Sequence, residues 1–318
     1  MQRRMSLVAA AWSSMTLLTV AVSAADYTEA YVTNQVSDDL SIVDLTTMTA
    51  APAIKIGGKP AGIAMSPDGK EAYLASPDSK EVVFIDTAKR QVSGRLTAGD
   101  GPLGIAVNPK SGVIYVADWY KHQLLSIEPA TRTVSGAVKV GDAPSGIAVT
   151  PDGALILSSD RESDAVSFID AATFKRLDSI KVGVHPFGIT VDSGGKRAYT
   201  ANVVSDDMSI VDIASRKVIA TVKVGHKPYA IALAKGKAFV TNQGAGTVSV
   251  VDLASSAVIK TIAVGEYPEG IATNRDGSAI FVACWSDNTL ERIDTDTFEV
   301  TARVTVGDGP RAFGAFLR

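Results

Sequence analysis

An anchor close to Val-Gly-x-x-Pro recurs along this chain, with its proline at Pro60, Pro102, Pro144, Pro186, Pro228, Pro268 and Pro310. The steps between these prolines are 42, 42, 42, 42, 40 and 42 residues. A second column keeps the same register: Asp44, Asp86, Glu128, Asp170, Asp212, Asp252 and Asp294 each follow by ten residues Asn34, Ser76, Asp118, Asp160, Asn202, Asn242 and Cys284. Two independent columns in phase over seven cycles define a structural repeat, and periods of 20 to 50 residues belong to solenoids, propellers or arrays. The short step is a two-residue deletion in the turn around Lys235 and Gly236.

Each unit reads as four short strands, shown by Gly62 to Ser66, Ala72 to Ala75, Val82 to Asp86 and Val92 to Leu96, with turns such as Ser66-Pro67-Asp68-Gly69 between them. A single four-stranded sheet cannot bury both faces alone. The units must stack, and a ring leaves no end unit exposed. The pattern predicts an all-β fold, a seven-bladed β-propeller over residues 26–318. The first complete strand, around Ala30 to Thr33, is a second strand of a unit, whereas the chain stops after a first strand, Ala312 to Leu317. The two ends therefore make one composite blade, with the final strand as its inner edge.

The four-residue segments Tyr31-Val32-Thr33-Asn34, Tyr199-Thr200-Ala201-Asn202 and Phe239-Val240-Thr241-Asn242 resemble the YVTN family of beta-propeller repeats, over roughly residues 27–318. The motif is degenerate at Leu157-Ser158-Ser159-Asp160 and Phe281-Val282-Ala283-Cys284, where the surrounding columns still hold. The resemblance implies a seven-bladed propeller, usually exported or cell-surface. By analogy of fold it permits lyase, lactone-hydrolase or redox-accessory chemistry, and single-stranded DNA binding as in some relatives.

Residues 1–25 read as a secretory signal peptide: Arg3 and Arg4, an apolar run from Leu7 to Val22, and the small residues Ser23, Ala24 and Ala25. Periplasmic or secreted localisation follows, with no membrane span in the mature chain. Cys284 is the only cysteine, so no internal disulfide can form. A net charge of -3 gives no basic footprint for a phosphate backbone, so nucleic acid is a disfavoured partner.

Features that repeat in every unit are scaffold. The Asp44 column is followed by Thr, Ser or Lys at the third position, which is turn chemistry. The aromatic column of Tyr31, Tyr73, Tyr115, Tyr199, Phe239 and Phe281 should pack between blades. Function belongs where the units diverge, on one face built from the anchor loops and the loops after each second strand. That face holds Trp119, Tyr120, Phe187, Tyr229, Tyr267 and Trp285, the histidines His122, His185 and His226, and Arg311. Its acidic residues, from Asp38 and Asp39 to Asp308, outnumber its basic ones, whereas residues such as Lys89, Arg90, Lys175 and Arg176 gather opposite, which predicts a molecule polarised along the ring axis.

Two readings follow. The first is a non-catalytic binding module that holds a protein or a small-molecule ligand through Trp119, Tyr120, His122, Phe187, Tyr229, Tyr267, Trp285 and Arg311. The second is an enzyme at the channel mouth, with His185, His226 and Glu266 as a divalent-metal set or a histidine as general base. No short metal-ligand motif, nucleophile elbow, haem-attachment motif or phosphate-cradling loop is present. The first reading is favoured.

Overall fold

The computed structural model describes residues 26–318; the export segment read at residues 1–25 lies outside them. Seven β-sheets follow one another along the chain, each built from sequential antiparallel strands. Blade 2 is representative, with strands Gly62–Met65, Glu71–Ser76, Glu81–Asp86 and Gln91–Thr97. Blades 3 to 7 follow with inner strands Pro102–Val107, Pro144–Val149, Pro186–Val191, Pro228–Ala234 and Pro268–Thr273.

Position in the blade explains the composition of each strand. The two middle strands are covered on both faces by neighbouring blades, so Ala72 to Ser76 and Val82 to Ile85 are continuously buried. The outer strand Gln91–Thr97 alternates between exposed and half-buried residues, the mark of one solvated face. Tyr31, Tyr73, Tyr115, Tyr199, Phe239 and Phe281 are all buried, as their column predicts. In the acidic column, Asp44 Oδ1 accepts the N–H groups of Thr46 and Thr47, at 2.9 and 2.8 Å, and Asp170, Asp212, Asp252 and Asp294 cap their turns in the same way. The shortened unit closes on Lys235 and Gly236, with φ of 47° and 72°, a two-residue hairpin turn in which both residues are left-handed.

Closure follows the expected route with one refinement. Blade 1 contains Glu29–Asn34 and Asp39–Asp44, and then an outer strand split into Thr49–Ala50 and Ile54–Lys55. Pro52 lies in the gap and has no N–H to donate. Its inner strand is the chain's end: Ala30 pairs with Leu317 and Asn34 with Pro310, both antiparallel. Tyr31 N–H donates to Phe316 O at 2.8 Å, and Arg311 N–H donates to Thr33 O at 2.8 Å. Between these points the segment bulges inward, and Phe313–Gly314 pair in parallel with Gly62 and Ile63 of blade 2. One segment thus stitches blade 1 to blade 2.

A bulge recurs in the inner strands of blades 3 to 7, as in the register shift between Pro144 and Ile147. It brings neighbouring backbones into contact. A Cβ on Gly104 would fall on Ser145 O, on Gly146 it would meet Phe187 O, and on Gly188 it would meet Tyr229 O. Glycine is required here by close approach rather than by φ. Residues that follow the anchor prolines converge from different blades: Leu103, Phe187 and Arg311 line one cavity, Tyr229 and Glu269 contact Arg311, and Ser145 Oγ donates to Phe187 O.

Candidate functional site

The anchor loops and the loops after the second strands share one face because they hydrogen-bond to each other. Trp119 N–H donates to Gly101 O, Val203 N–H to His185 O, and Trp285 N–H to Tyr267 O, at 2.9, 3.0 and 3.0 Å. Side-chain bonds tie several of these loops to the anchor loop of the next blade. Asp38, Asp164, Asp206 and Asn288 accept the backbone N–H of Lys59, His185, Lys227 and Gly309, at 2.8 to 2.9 Å. All four acceptors have positive φ, between 49° and 57°. Asp and Asn suit such a position because their short polar side chains tolerate the left-handed region.

Four of the expected ligand-binding residues come together. Trp119, Tyr120, Phe187 and Arg311 line a cavity of about 210 Å³, with Leu103, Pro77 and Gly101 completing the wall. Beneath it the aromatic rings pack closely: Phe187 to Tyr229 at 4.3 Å and Phe187 to Phe313 at 4.9 Å between centroids. Tyr120 is 69% exposed and forms the rim. Arg161 lies over the Trp119 ring at 5.8 Å.

The floor is a buried polar cluster on the axis. Arg311 Nε lies 3.0 Å from Glu269 Oε2, and their side chains are only 17% and 8% exposed. The Arg311 guanidinium also donates to Tyr229 Oη through Nε and Nη2, and to Gln35 Oε1 through Nη1 at 3.2 Å. Gln243 Nε2 donates to Glu269 Oε1 at 2.7 Å, whereas Glu269 Oε2 has no aligned hydrogen-bond donor. Burial pushes the Glu269 carboxyl up from its ordinary value, opposed by Arg311, Gln243 and Tyr229. Burial works to lower the Arg311 pKa, but Glu269 and Tyr229 outweigh it and raise it. The guanidinium remains charged.

Other expected residues lie apart from this cavity. Tyr267 and Trp285 form a separate aromatic pair, with ring centroids 6.4 Å apart. His122 Nδ1 accepts the N–H of Ala143 at 3.0 Å, and so occupies the inter-loop position held elsewhere by Asp or Asn. His185, His226 and Glu266 do not form the expected metal set, since among the described residues no three His, Cys, Asp or Glu side chains are grouped to hold an ion. Each histidine instead faces a carboxylate of its own neighbourhood, His185 Nε2 with Glu162 at 3.5 Å and His226 Nδ1 with Asp206 at 3.2 Å. Glu266 N–H is bound to Asp287 at 2.9 Å. Burial pushes the Cys284 thiol up, away from nucleophilic use.

The charge asymmetry is weaker than the residue pattern suggests. Asp118, Asp160 and Glu269 are buried and present no charge to solvent. The outer strands also run up to this face and deliver lysines to it. Lys55 pairs with Asp39 at 3.1 Å and Lys223 with Asp207 at 3.2 Å, while Lys139 and Lys181 donate to the loop carbonyls of Lys121 and Ser163. Those lysines were missed because their strand was read only as a blade edge. Leu103, Glu269, Gln35 and Gln243 were missed too. The signal for Leu103 and Glu269 was the column after the anchor proline, which varies freely inside an otherwise constant motif.

The profile of the YNCE-like beta-propeller family matches residues 123–238, and that of the NHL repeat matches residues 100–125. No curated protein sequence matches the chain. Among solved structures, hydrazine synthase from Kuenenia stuttgartiensis superposes with a TM-score of 0.77 at 17% identity, covering 89% of this chain and 99% of that one. A functionally unknown protein from Desulfotomaculum acetoxidans gives a TM-score of 0.77 at 17% identity, covering 90% of this chain and 97% of that one. At this identity the likeness is one of fold. Among the described residues no helix is long and apolar enough to cross a membrane.

Proposed function

We propose that this chain, a seven-bladed β-propeller of the YVTN repeat type, is an exported binding module that holds a small molecule at the axis of its loop face. The observation that carries the reading is the convergence of Trp119, Tyr120, Leu103, Phe187 and Arg311 from separate blades on one cavity. Ligand sites are concave, mostly apolar and oriented by a few polar groups, which describes this wall and floor. Binding is favoured over catalysis by what the polar groups are doing. Arg311 is held by Glu269 and Tyr229, and burial pushes the Tyr229 phenol up, so it is no base. The basic, apolar and small-residue segments of residues 1–25 support delivery to the periplasm or exterior.

Ligand-observed NMR on pooled small metabolites tests the reading. Hits should compete for one site and vanish in Leu103→Trp, whose indole fills the cavity, while the variant keeps the parent's melting temperature. Hits that survive Leu103→Trp but disappear in Trp285→Ala would move the site to the Tyr267 pair and overturn it.

A further inference from the structure

The polar chemistry of the cavity floor defines the class of ligand, given the reading above that the cavity is a binding site. A guanidinium carries five N–H bonds. For Arg311 three of them reach protein acceptors, two on Tyr229 Oη and one on Gln35 Oε1. Two are left without a protein acceptor among the described residues, on a side chain that forms part of the cavity wall. The Arg311 side chain is 17% exposed, so an occupant that presents an acceptor can take these N–H bonds, and a hydrogen bond to a charged donor is among the stronger kinds.

Charge then separates the kinds of acceptor. The Arg311 cation is balanced by Glu269 at 3.0 Å, inside the same buried cluster. The next cation, Arg161 over the Trp119 ring, is paired with Glu162. A carboxylate or phosphate entering this space would lose its hydration, meet no uncompensated positive charge and lie close to the Glu269 carboxylate. A neutral oxygen suffers none of these penalties. The remaining surface comes from Trp119, Tyr120, Phe187 and Leu103, which favours a flat apolar body, and about 210 Å³ limits that body to fragment size.

We propose that the axial cavity binds an uncharged, flat, largely apolar molecule of about one ring that presents a carbonyl-type oxygen to the free N–H groups of Arg311 and stacks against Trp119 and Phe187.

The test uses probes of one shape and different charge. Benzamide, benzoate, benzamidine and toluene are titrated against the mature protein carrying Trp285→Phe, so that Trp119 is the remaining tryptophan reporter there. Benzamide should bind at least tenfold tighter than benzoate and benzamidine, and tighter than toluene, which lacks the acceptor. Leu103→Trp should abolish the benzamide response with the fold retained. Benzoate binding tightest would overturn the ligand class and leave a binding cavity that behaves as a cation. Equal binding of toluene and benzamide would show that the Arg311 donors are not used, and would also overturn it. Silence of all four probes would overturn the class as well, while the metabolite screen judges the cavity itself.

Discussion

His122 Nδ1 accepts the backbone N–H of Ala143 across 3.0 Å, the bond that Asp164 Oδ1 makes to His185 one blade further on. An imidazole has therefore replaced a carboxylate in a joint between loops. The ring must carry its proton on Nε2 to do so, since an unprotonated Nδ1 is needed to accept. His122, expected among the ligand-binding residues, makes a joint between loops here.

That relationship sets a substitution series. His122→Asn should retain the joint, as Asn288 does at its own position, and change stability by less than about 0.5 kcal/mol. His122→Ala leaves the Ala143 N–H without its partner and should cost about 1 kcal/mol. Both variants should bind ligand as the parent does, because His122 is no part of the cavity wall. Urea melts and the binding titration check the two statements separately.

Close packing at the axis gives a sharper contrast between glycines. Gly104→Ala drives a methyl group into the carbonyl of Ser145, a backbone atom held in the neighbouring inner strand. The strain should cost about 3 kcal/mol or more and disturb Leu103 next to it. Gly112 has φ of +79° and open space around it, so Gly112→Ala should cost only about 1 to 2 kcal/mol, for the left-handed backbone alone. Equal losses in thermal melts would show that the inner strands can move apart.

The ring and its blade count could be read from the chain because both depend on features repeated seven times, and its closure because the first and last strands complete one unit. The cavity was legible only in part. Trp119, Tyr120, Phe187 and Arg311 stand out as chemistry on variable loops, whereas by sequence alone Glu269 is one acidic residue among the many of that face. Its burial comes from the bulge that turns the residue after the proline towards the axis, and hydrophobic periodicity carries no sign of that bulge. The metal set failed for a related reason. His185 and His226 lie on adjacent anchor loops, but each turns to the carboxylate next to it.

Closure by the chain's end makes stability sensitive to a short deletion. Removing residues 311–318 strips Phe313, Phe316 and Leu317 from the core, all buried, and uncovers the inner edge of Glu29–Asn34. Each large side chain represents about 1.5 to 3 kcal/mol of burial. The truncated protein should lose its cooperative transition, or melt lower by more than about 10 °C. Arg318→Ala should be mild by comparison, because its bond to Glu29 is half-exposed and one of several at that edge. An unchanged circular-dichroism melt for the truncation would refute closure by this strand.

Asp160 offers a test by pH. It stands where Asn34, Asn202 and Asn242 stand in other blades, and burial pushes its carboxyl up to about 6 from 3.8, against the lowering effects of Ser167, Ser158, the Gly141 N–H and Arg176. Below pH 3.8 the group is protonated in both folded and unfolded chains and contributes nothing to the difference. Between 3.8 and about 6 the folded protein holds a proton that the unfolded chain has lost, so stability falls as pH rises; above about 6 the full cost of burying the charge is present. At about 1.4 kcal/mol per pH unit that cost is on the order of 3 kcal/mol. Asp160→Asn removes it and can keep the local bonds, since Asn242 accepts from Gly225 N–H and donates to Ser249 Oγ in the equivalent place. The variant should match the parent near pH 4, gain on it through pH 6, and hold a constant advantage from pH 7 upward. Parallel stability curves for the two proteins would show that Asp160 titrates alike in the folded and unfolded chains, and would refute the upward shift.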